Sequence, residues 1–439
     1  MTFAAAATYL LGTINETASR RLPARLERMR AFLHRLGDPQ NAYPSFHVGG
    51  TSGKGSTATM IAAALSASGR RVGLHTKPHL SSMVERARID GIPIGEERFA
   101  GVLEEMMPAI EATARDDGRP TYYETLLALT FLYFAREAVD VAVIEVGIGG
   151  MLDGTNVLIP VVSVITNVGL DHTDVLGETI EEIAADKAGI AKFGVPLVTD
   201  AKEPALSVIE RKARESGAPL VRVESHTNVA VKDGTPYGQA LAFETMSARY
   251  DLELPVLGTF QRRNAATAIT ALELAPATLR PSAAEIERGW ARLVIPARME
   301  CFPGYPSVVF DIAHNPDKAA SLAESLQEEF PGRRFTFVVA IGESKDAAGV
   351  LDTFFLLPAS FVFTTFSAVG RTPSSPQRLV RMAQARGLSA RAIVDPVEAL
   401  SVARREGEGS KVVVVTGSTF LVGTLRDWWF SNVLTTAAR

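Results

Sequence analysis

The residues most suited to chemistry form one short run, Gly50-Thr51-Ser52-Gly53-Lys54-Gly55-Ser56. It follows an apolar stretch at 46–48 and precedes a helical pattern over 56–68. In such a strand-to-helix turn, glycines let backbone N–H groups converge on phosphate oxygens. The N-terminus of the helix adds a positive dipole end. Lys54 supplies a mobile charge for β- and γ-phosphates, and Ser56, or else Thr57, a hydroxyl for Mg²⁺. The spacing is not that of the standard phosphate loop, because Gly55 stands between Lys54 and Ser56; the alternative is an ordinary glycine-rich turn.

Two further stretches carry ligand-type side chains. Val141-Ala142-Val143-Ile144-Glu145 reads as a buried strand ending in a carboxylate, with Gly147, Gly149 and Gly150 behind it. The strand pattern at 161–166 runs into Asn167, Gly169, Asp171 and His172. Ligands of doubly wound sheets sit outside the carboxyl ends of the strands, so Glu145 and His172 are candidates for Mg²⁺ near the loop. Lys187, on the helical pattern that follows, reads from spacing alone as a surface lysine.

The elements that must position these groups alternate. Strands are expected over 46–48, 71–74, 141–146, 161–166 and 197–198, and helices over 56–68, 97–116, 121–134, 179–192 and 203–216. That order predicts a mostly parallel, doubly wound α/β sheet. Residues 220–256 alternate apolar and polar and predict a small antiparallel patch, followed by helices over 260–274 and 283–292. A second α/β series starts near Pro296. Its strands are expected over 307–311, 335–340, 361–366, 392–394 and 411–415, and its helices over 318–330, 376–386 and 397–405. We place the domain boundary there, giving domains 1–296 and 297–439.

Composition narrows the function class. The 439 residues are 46% apolar and 21% charged with a formal net charge of −4, which suits a globular chain of two domains. No overall basic field is available for nucleic acid or an anionic membrane. Cys301 is the single cysteine, so an intrachain disulfide is impossible and a reducing, cytoplasmic setting is expected. The run Ala4–Ala7 lacks the basic flank of a signal peptide, and no stretch approaches the length of a membrane span. The arginines within 10–36 read as the solvated face of amphipathic helices.

Together the stretches 47–56, 73–80, 85–91, 121–124, 145–156, 165–177, 186–190, 264–266, 311–316 and 416–423 resemble the Mur ligase superfamily, and within it the dihydrofolate synthase/folylpolyglutamate synthase family. The resemblance implies a Mur-type ATPase domain followed by a Rossmann-like C-terminal domain, with the active site in the cleft between them. It implies an ATP- and Mg²⁺-dependent ligase that activates a folate or dihydropteroate carboxylate as an acyl phosphate and joins it to L-glutamate. By resemblance, Gly50, Thr51, Ser52, Gly53, Lys54, Gly55 and Ser56 bind ATP with Asn264 and Arg298. Ser56, Glu145 and His172 serve Mg²⁺, and Lys187 matches a lysine that is carbamylated in many such ligases. Asp311 and His314 match groups near the reacting atoms, and Ser418 a serine near the incoming glutamate. Thr121, Tyr123 and Asp153 fall where the family holds the pterin, and Arg86 and Arg88 lie in a lid that faces substrate carboxylates or solvent. A monomer is the family's expectation.

The chain also departs from the family pattern. Thr76-Lys77-Pro78-His79 carries Lys77 where the family has a serine able to ligate Mg²⁺. An ammonium cannot bind a metal, but it can pair with phosphate. Met151, Tyr123, Gly154 and Ile312 replace a usual Arg, Phe, Ala and Gly, and Lys345-Asp346 keeps part of an Asp-Lys-Asp stretch. These changes motivate two rival readings: a ligase of the same superfamily for another carboxylate, and a nucleotide-binding paralogue without catalysis.

Overall fold

The computed structural model describes residues 1–14, 23–235, 238–304, 306–406 and 411–434. Arg20 and Arg21 lie outside the described residues. Two compact units emerge. The first comprises 1–230, 241–252 and 263–292; the second comprises 231–240, 253–262 and 293–439.

The first unit is built on eight strands: β1 (Ser45–Gly49), β2 (Val72–His75), β3 (Ala87–Ile89), β4 (Ile92–Pro93), β5 (Val141–Glu145), β6 (Val162–Ile165), β7 (Leu197–Thr199) and β8 (Leu220–Arg222). Their order is β4-β3-β2-β5-β1-β6-β7-β8. β2, β5, β1, β6, β7 and β8 run parallel, and β3 and β4 close one edge antiparallel. β1 and β5 are buried at every residue, as apolar central strands of a doubly wound sheet must be. The helices Glu96–Asp116 and Tyr122–Arg136 bury one apolar core that includes Phe99, Phe131 and Phe134. Thr121 caps the second helix and Glu124 closes the capping box.

Three strands, β9 (Thr227–Thr235), β10 (Gly238–Thr245) and β11 (Arg249–Leu254), form a separate sheet in the order β11-β10-β9. The antiparallel patch expected from residue 220 therefore begins later. Leu220–Arg222 pairs parallel with β7 instead, because Leu197 and Val198 offer its backbone a free edge.

The second unit's sheet contains β12 (Glu300–Phe302), β13 (Ser307–Phe310), β14 (Arg334–Val339), β15 (Ala359–Phe363), β16 (Ala390–Ala392) and β17 (Lys411–Thr416), in the order β12-β13-β17-β14-β15-β16. Only β12 is antiparallel. Phe337 stacks on Phe354 at 4.8 Å and on Phe361 at 5.4 Å in its core. The strand expected at 392–394 sits two residues earlier, on a half-buried edge where apolar pattern is weak.

Further corrections are local. The helix expected over 179–192 ends at Lys187, and a 3₁₀ turn Ala188–Ile190 follows. Arg28 is not on a solvated face: its guanidinium makes a two-pronged ion pair with the buried Glu124. The strands β3, β4 and β12 and the helices Ala347–Phe354 and Thr419–Trp429 were not foreseen. Among the described residues no helix is long and apolar enough to cross a membrane.

Candidate active site

The phosphate-type loop leaves β1 at the centre of the sheet and enters the helix Lys54–Ala67. Gly53, at φ +79, adopts a left-handed conformation, and a Cβ there would overlap Asn264 Oδ1. The loop and Asn264 are therefore in close contact within the first unit. Thr166 and Asn167, at the end of β6, secure the loop from the other side. Thr166 Oγ1 donates to Ser52 O at 2.6 Å, and Ser52 N donates to Asn167 Oδ1 at 2.8 Å. Thr51 Oγ1 donates to Gly169 O at 3.2 Å.

Three amines gather on this frame. Lys54 Nζ folds back to Gly50 O at 2.9 Å and Thr51 O at 3.1 Å. Lys187 Nζ reaches the same Gly50 O at 3.0 Å. The expectation of a surface lysine is thus overturned, since Lys187 is only 3% exposed. Its helix packs over the Gly150 turn, where a Cβ would lie 2.7 Å from Lys187 O. Burial, and then the Lys54 charge, pulls the Lys187 amine down to about 7. Lys77 is half-buried after β2, and the same two causes in the same order bring its amine to about 8.

Glu145 ends β5 with its side chain buried, and its Oε2 accepts the Lys77 backbone N–H at 2.9 Å. A Cβ at position 55 would sit 3.2 Å from that oxygen, so the loop runs directly past the carboxylate. Ser56 is buried on the first turn of the helix. His172 stands at φ +53 as the N-terminal cap of a short helix, with its ring 4.0 Å from Asp171 Oδ1.

A second group of candidates is linked by hydrogen bonds under the sheet end. Tyr123 Oη donates to Asp153 Oδ1 at 3.0 Å, and Thr155 Oγ1 donates to the same oxygen at 2.6 Å. Ile148 N donates to Asp153 Oδ2 at 3.0 Å. These bonds outweigh burial and hold the Asp153 carboxyl below its ordinary range. Thr121 is occupied differently, as its hydroxyl accepts from Glu124 N at 3.2 Å. Arg86 Nε donates to His79 Nδ1 at 3.0 Å and its guanidinium lies over the Tyr122 ring. Arg88 is 3.7 Å from Glu85.

In the second unit, Asp311 is buried after β13. Its Oδ2 accepts from Met299 N at 3.0 Å and its Oδ1 from Ala313 N at 2.8 Å. Burial raises its carboxyl above the usual range. Ala297 and Met299 both have positive φ, so Arg298 is presented on a strained turn that Asp311 and Glu300 hold. His314 Nδ1 donates to Ile312 O at 2.8 Å. Ser418 caps the helix Thr419–Trp429. Cys301, on β12, is an unreactive thiol that burial pushes up to about 12.

Residues 48–272 match the Mur ligase middle domain, and residues 297–419 match the Mur ligase, glutamate ligase domain. The chain belongs to the Mur ligase family. Among individual Mur ligases, it is 33% identical over 407 residues to the dihydrofolate synthase/folylpolyglutamate synthase of Bacillus subtilis, covering 91% of this chain and 94% of that one. It is 37% identical over 406 residues to the folylpolyglutamate synthase of Lacticaseibacillus casei, covering 91% and 93%. The solved Mycobacterium tuberculosis folylpolyglutamate synthase complexed with ADP superposes with a TM-score of 0.89 at 30% identity, over 97% of this chain and 98% of that one. This Mur ligase is therefore an ATP-dependent ligase of the dihydrofolate synthase/folylpolyglutamate synthase type.

Ligases of this family work with Mg²⁺. Among the described residues no group of three or more His, Cys, Asp or Glu could hold a metal ion. One buried carboxylate and one hydroxyl beside a phosphate loop nevertheless fit Mg²⁺, which takes few protein ligands and completes its shell with water and substrate phosphates. Sequence reasoning missed Thr166 as a loop support, and missed Thr155 and His47, whose Nε2 lies 2.8 Å from Thr155 Oγ1. His47 and Thr166 signalled themselves only as polar side chains within or just beyond an apolar strand, and Thr155, in the turn Gly154–Val157, gave no such signal.

Proposed function

We propose that this ligase uses ATP to activate the carboxylate of a folate or dihydropteroate and joins it to L-glutamate. The observation that carries the reading is the Lys54, Lys77 and Lys187 amine group around the glycine loop, with the buried Glu145 carboxylate beside it. Such a site binds a polyphosphate and neutralises charge as the γ-phosphoryl group moves. A substrate carboxylate oxygen attacks the γ-phosphorus, the bond to the β-bridging oxygen breaks, and ADP leaves. The glutamate amine then attacks the acyl carbon, phosphate departs, and the amine loses a proton.

Gly50 to Ser56, Lys54, Asn264 and Arg298 are the proposed ATP-binding residues. Ser56, Glu145 and His172 would hold Mg²⁺, which when bound supplies charge neutralisation at the transferring phosphate. The Lys187 amine, brought near neutrality by burial, is suited to take up CO₂ as a carbamate with release of a proton. That adduct would present anionic oxygens to the metal. The Tyr123–Asp153 pair, Thr121 and Arg86 serve the acyl substrate, Lys77 its carboxylate as the phosphoryl group arrives there, and Ser418 the glutamate. His314 and Asp311 position the amine; His314 Nδ1–H is given to Ile312 O, and its Nε2 lies 3.4 Å from Lys318 Nζ. We assign these roles across 1–296 and 297–439, in a cytoplasmic monomer.

Phosphate release from ATP, measured with Mg²⁺ and L-glutamate, tests the reading. Release that needs both glutamate and either dihydropteroate or tetrahydrofolate, with a product heavier by one glutamyl unit, is the expected result. ATP binding without release for either pterin would refute it and favour another carboxylate or a non-catalytic role.

A further inference from the structure

The protein's own donors occupy the Asp153 carboxylate. Its Oδ1 accepts from Thr155 Oγ1 at 2.6 Å, from Thr155 N at 3.0 Å and from Tyr123 Oη at 3.0 Å. A carboxylate oxygen has two lone pairs, so three donors leave none for a ligand. Oδ2 takes Ile148 N at 3.0 Å and lies against Gly147, where a Cβ would stand 2.6 Å from it. The residue as a whole is 5% exposed. Its support is fixed in turn, since His47 Nε2 lies 2.8 Å from Thr155 Oγ1, whose own proton goes to Asp153.

Tyr123 is placed differently. Its side chain is half-buried, and a Cβ on Gly147 would lie 2.5 Å from its Oη. Gly147 follows closely on Glu145, past which the glycine loop runs, so the hydroxyl stands at the same strand end as the loop. Burial, and then the Asp153 charge, pushes the phenol well above its ordinary range. The phenol therefore keeps its one proton and gives it to Asp153. Toward a ligand such a hydroxyl has only lone pairs to offer. A Phe at this position, as in the family pattern, would offer neither the bond to Asp153 nor the acceptor.

We propose that Tyr123 is a specificity-determining residue whose hydroxyl accepts a ring N–H of the acyl substrate, while Asp153 touches no substrate and is the positioning residue that aims this hydroxyl. The substrate class is then a carboxylic acid carrying a heteroaromatic ring with an N–H or amino donor on its edge. The aminopyrimidinone edge of a pterin qualifies, and the same ring without those donors does not. The inference rests on the folate reading above and adds to it the atom that reads the ring.

The test is calorimetric titration of the full-length protein holding a non-hydrolysable ATP analogue. The ligands are dihydropteroate and an analogue whose pyrimidine amine is replaced by hydrogen and whose pyrimidine N–H is methylated. The native chain is expected to prefer dihydropteroate. Tyr123→Phe should lose that preference and bind dihydropteroate about twofold to tenfold more weakly, the scale of one neutral hydrogen bond. Asp153→Asn should weaken binding in the native background and change nothing further in the Tyr123→Phe background, because it acts through the hydroxyl. Unchanged or tighter dihydropteroate binding by Tyr123→Phe would overturn the proposal. So would an Asp153→Asn effect that persists in full once the hydroxyl is gone, since Asp153 would then touch the substrate itself. If Tyr123→Phe lacks a cooperative unfolding transition, ortho-fluorotyrosine at position 123, which keeps the hydroxyl, decides the question. Its fluorine resonance should shift with dihydropteroate and not with the analogue, and equal shifts would overturn the proposal. A native chain that binds neither dihydropteroate nor tetrahydrofolate overturns the folate reading and this inference with it, whereas native binding that Tyr123→Phe shares in full sinks the inference alone.

Discussion

Replacing Gly53 by Ala separates backbone strain from the work of the loop. The new methyl group would stand at φ +79, where an L-residue costs about 1–2 kcal/mol. It would also overlap Asn264 Oδ1 and lie 3.1 Å from Asn264 Cγ, so that Asn264 must swing aside or the loop must shift. Gly69 provides the control, since it has φ +83 and nothing within 4 Å of a Cβ. Gly69→Ala carries the strain alone. Gly69→Ala should lose about 1–2 kcal/mol in denaturant unfolding, and Gly53→Ala at least as much. Only Gly53→Ala should also lose nucleotide affinity, because the loop N–H groups and Asn264 move together. Loss of one or two bonds to charged phosphate, at about 1.5–3 kcal/mol each, gives a decline of roughly tenfold to about 20,000-fold. Calorimetric titration with ADP measures it. Equal ADP affinity in the two variants would refute the argument that this loop, braced by Asn264, holds the nucleotide.

Other consequences are measurable on the same protein. His47 and His75 are fully buried, and burial brings both rings down to about 3, so each stays neutral in the fold while the unfolded chain binds a proton near pH 6.5. The unfolded state thus gains protons as pH falls from about 6.5 to 3, and stability should fall through that window by up to about 1.4 kcal/mol per pH unit for each ring. Urea unfolding at a series of pH values should show a shallower slope for His75→Asn; an unchanged slope would refute the assignment. Glu124→Gln leaves the Arg28 guanidinium half-buried without its ion pair and should cost about 3 kcal/mol in chemical unfolding, with a loss under about 1 kcal/mol counting against the pair. Asp311→Asn keeps the size of the side chain but removes its charge and turns an NH₂ toward the Met299 or Ala313 N–H, so it should weaken ligase turnover at least tenfold and cost about 1–3 kcal/mol in chemical unfolding. Lys187→Met should abolish any bicarbonate-dependent mass increase of 44 Da, about the mass of one CO₂, seen by native mass spectrometry; survival of that adduct would place it elsewhere.

Local chemistry was legible in the sequence to the extent that it is local. The glycine loop, the strand ending in Glu145 and the alternation of helices and strands all follow from composition over a few residues. The burial of Lys187 was not legible, because it depends on a helix folding back over Gly50 from well over a hundred positions away. For the same reason Asp311 could be picked out as a motif residue while its hold on the Ala297–Met299 turn could not. Edge strands were the weakest part: β4 has two residues and β16 three, too few to show a period against their neighbours.

The place of β1 in the sheet bears on how the protein matures. β1 pairs with β5 and β6, so each of its neighbours lies roughly a hundred residues further along the chain, a separation that makes loop closure slow. When the glycine loop leaves the ribosome, neither Glu145 nor the Thr166–Asn167 brace has been synthesised. A nascent chain therefore carries an exposed, unbraced phosphate loop for many seconds of synthesis, and nucleotide can begin to stabilise the fold only once β6 has docked. Truncations that stop short of residue 167 should lack an ATP site altogether, rather than retain a weakened one.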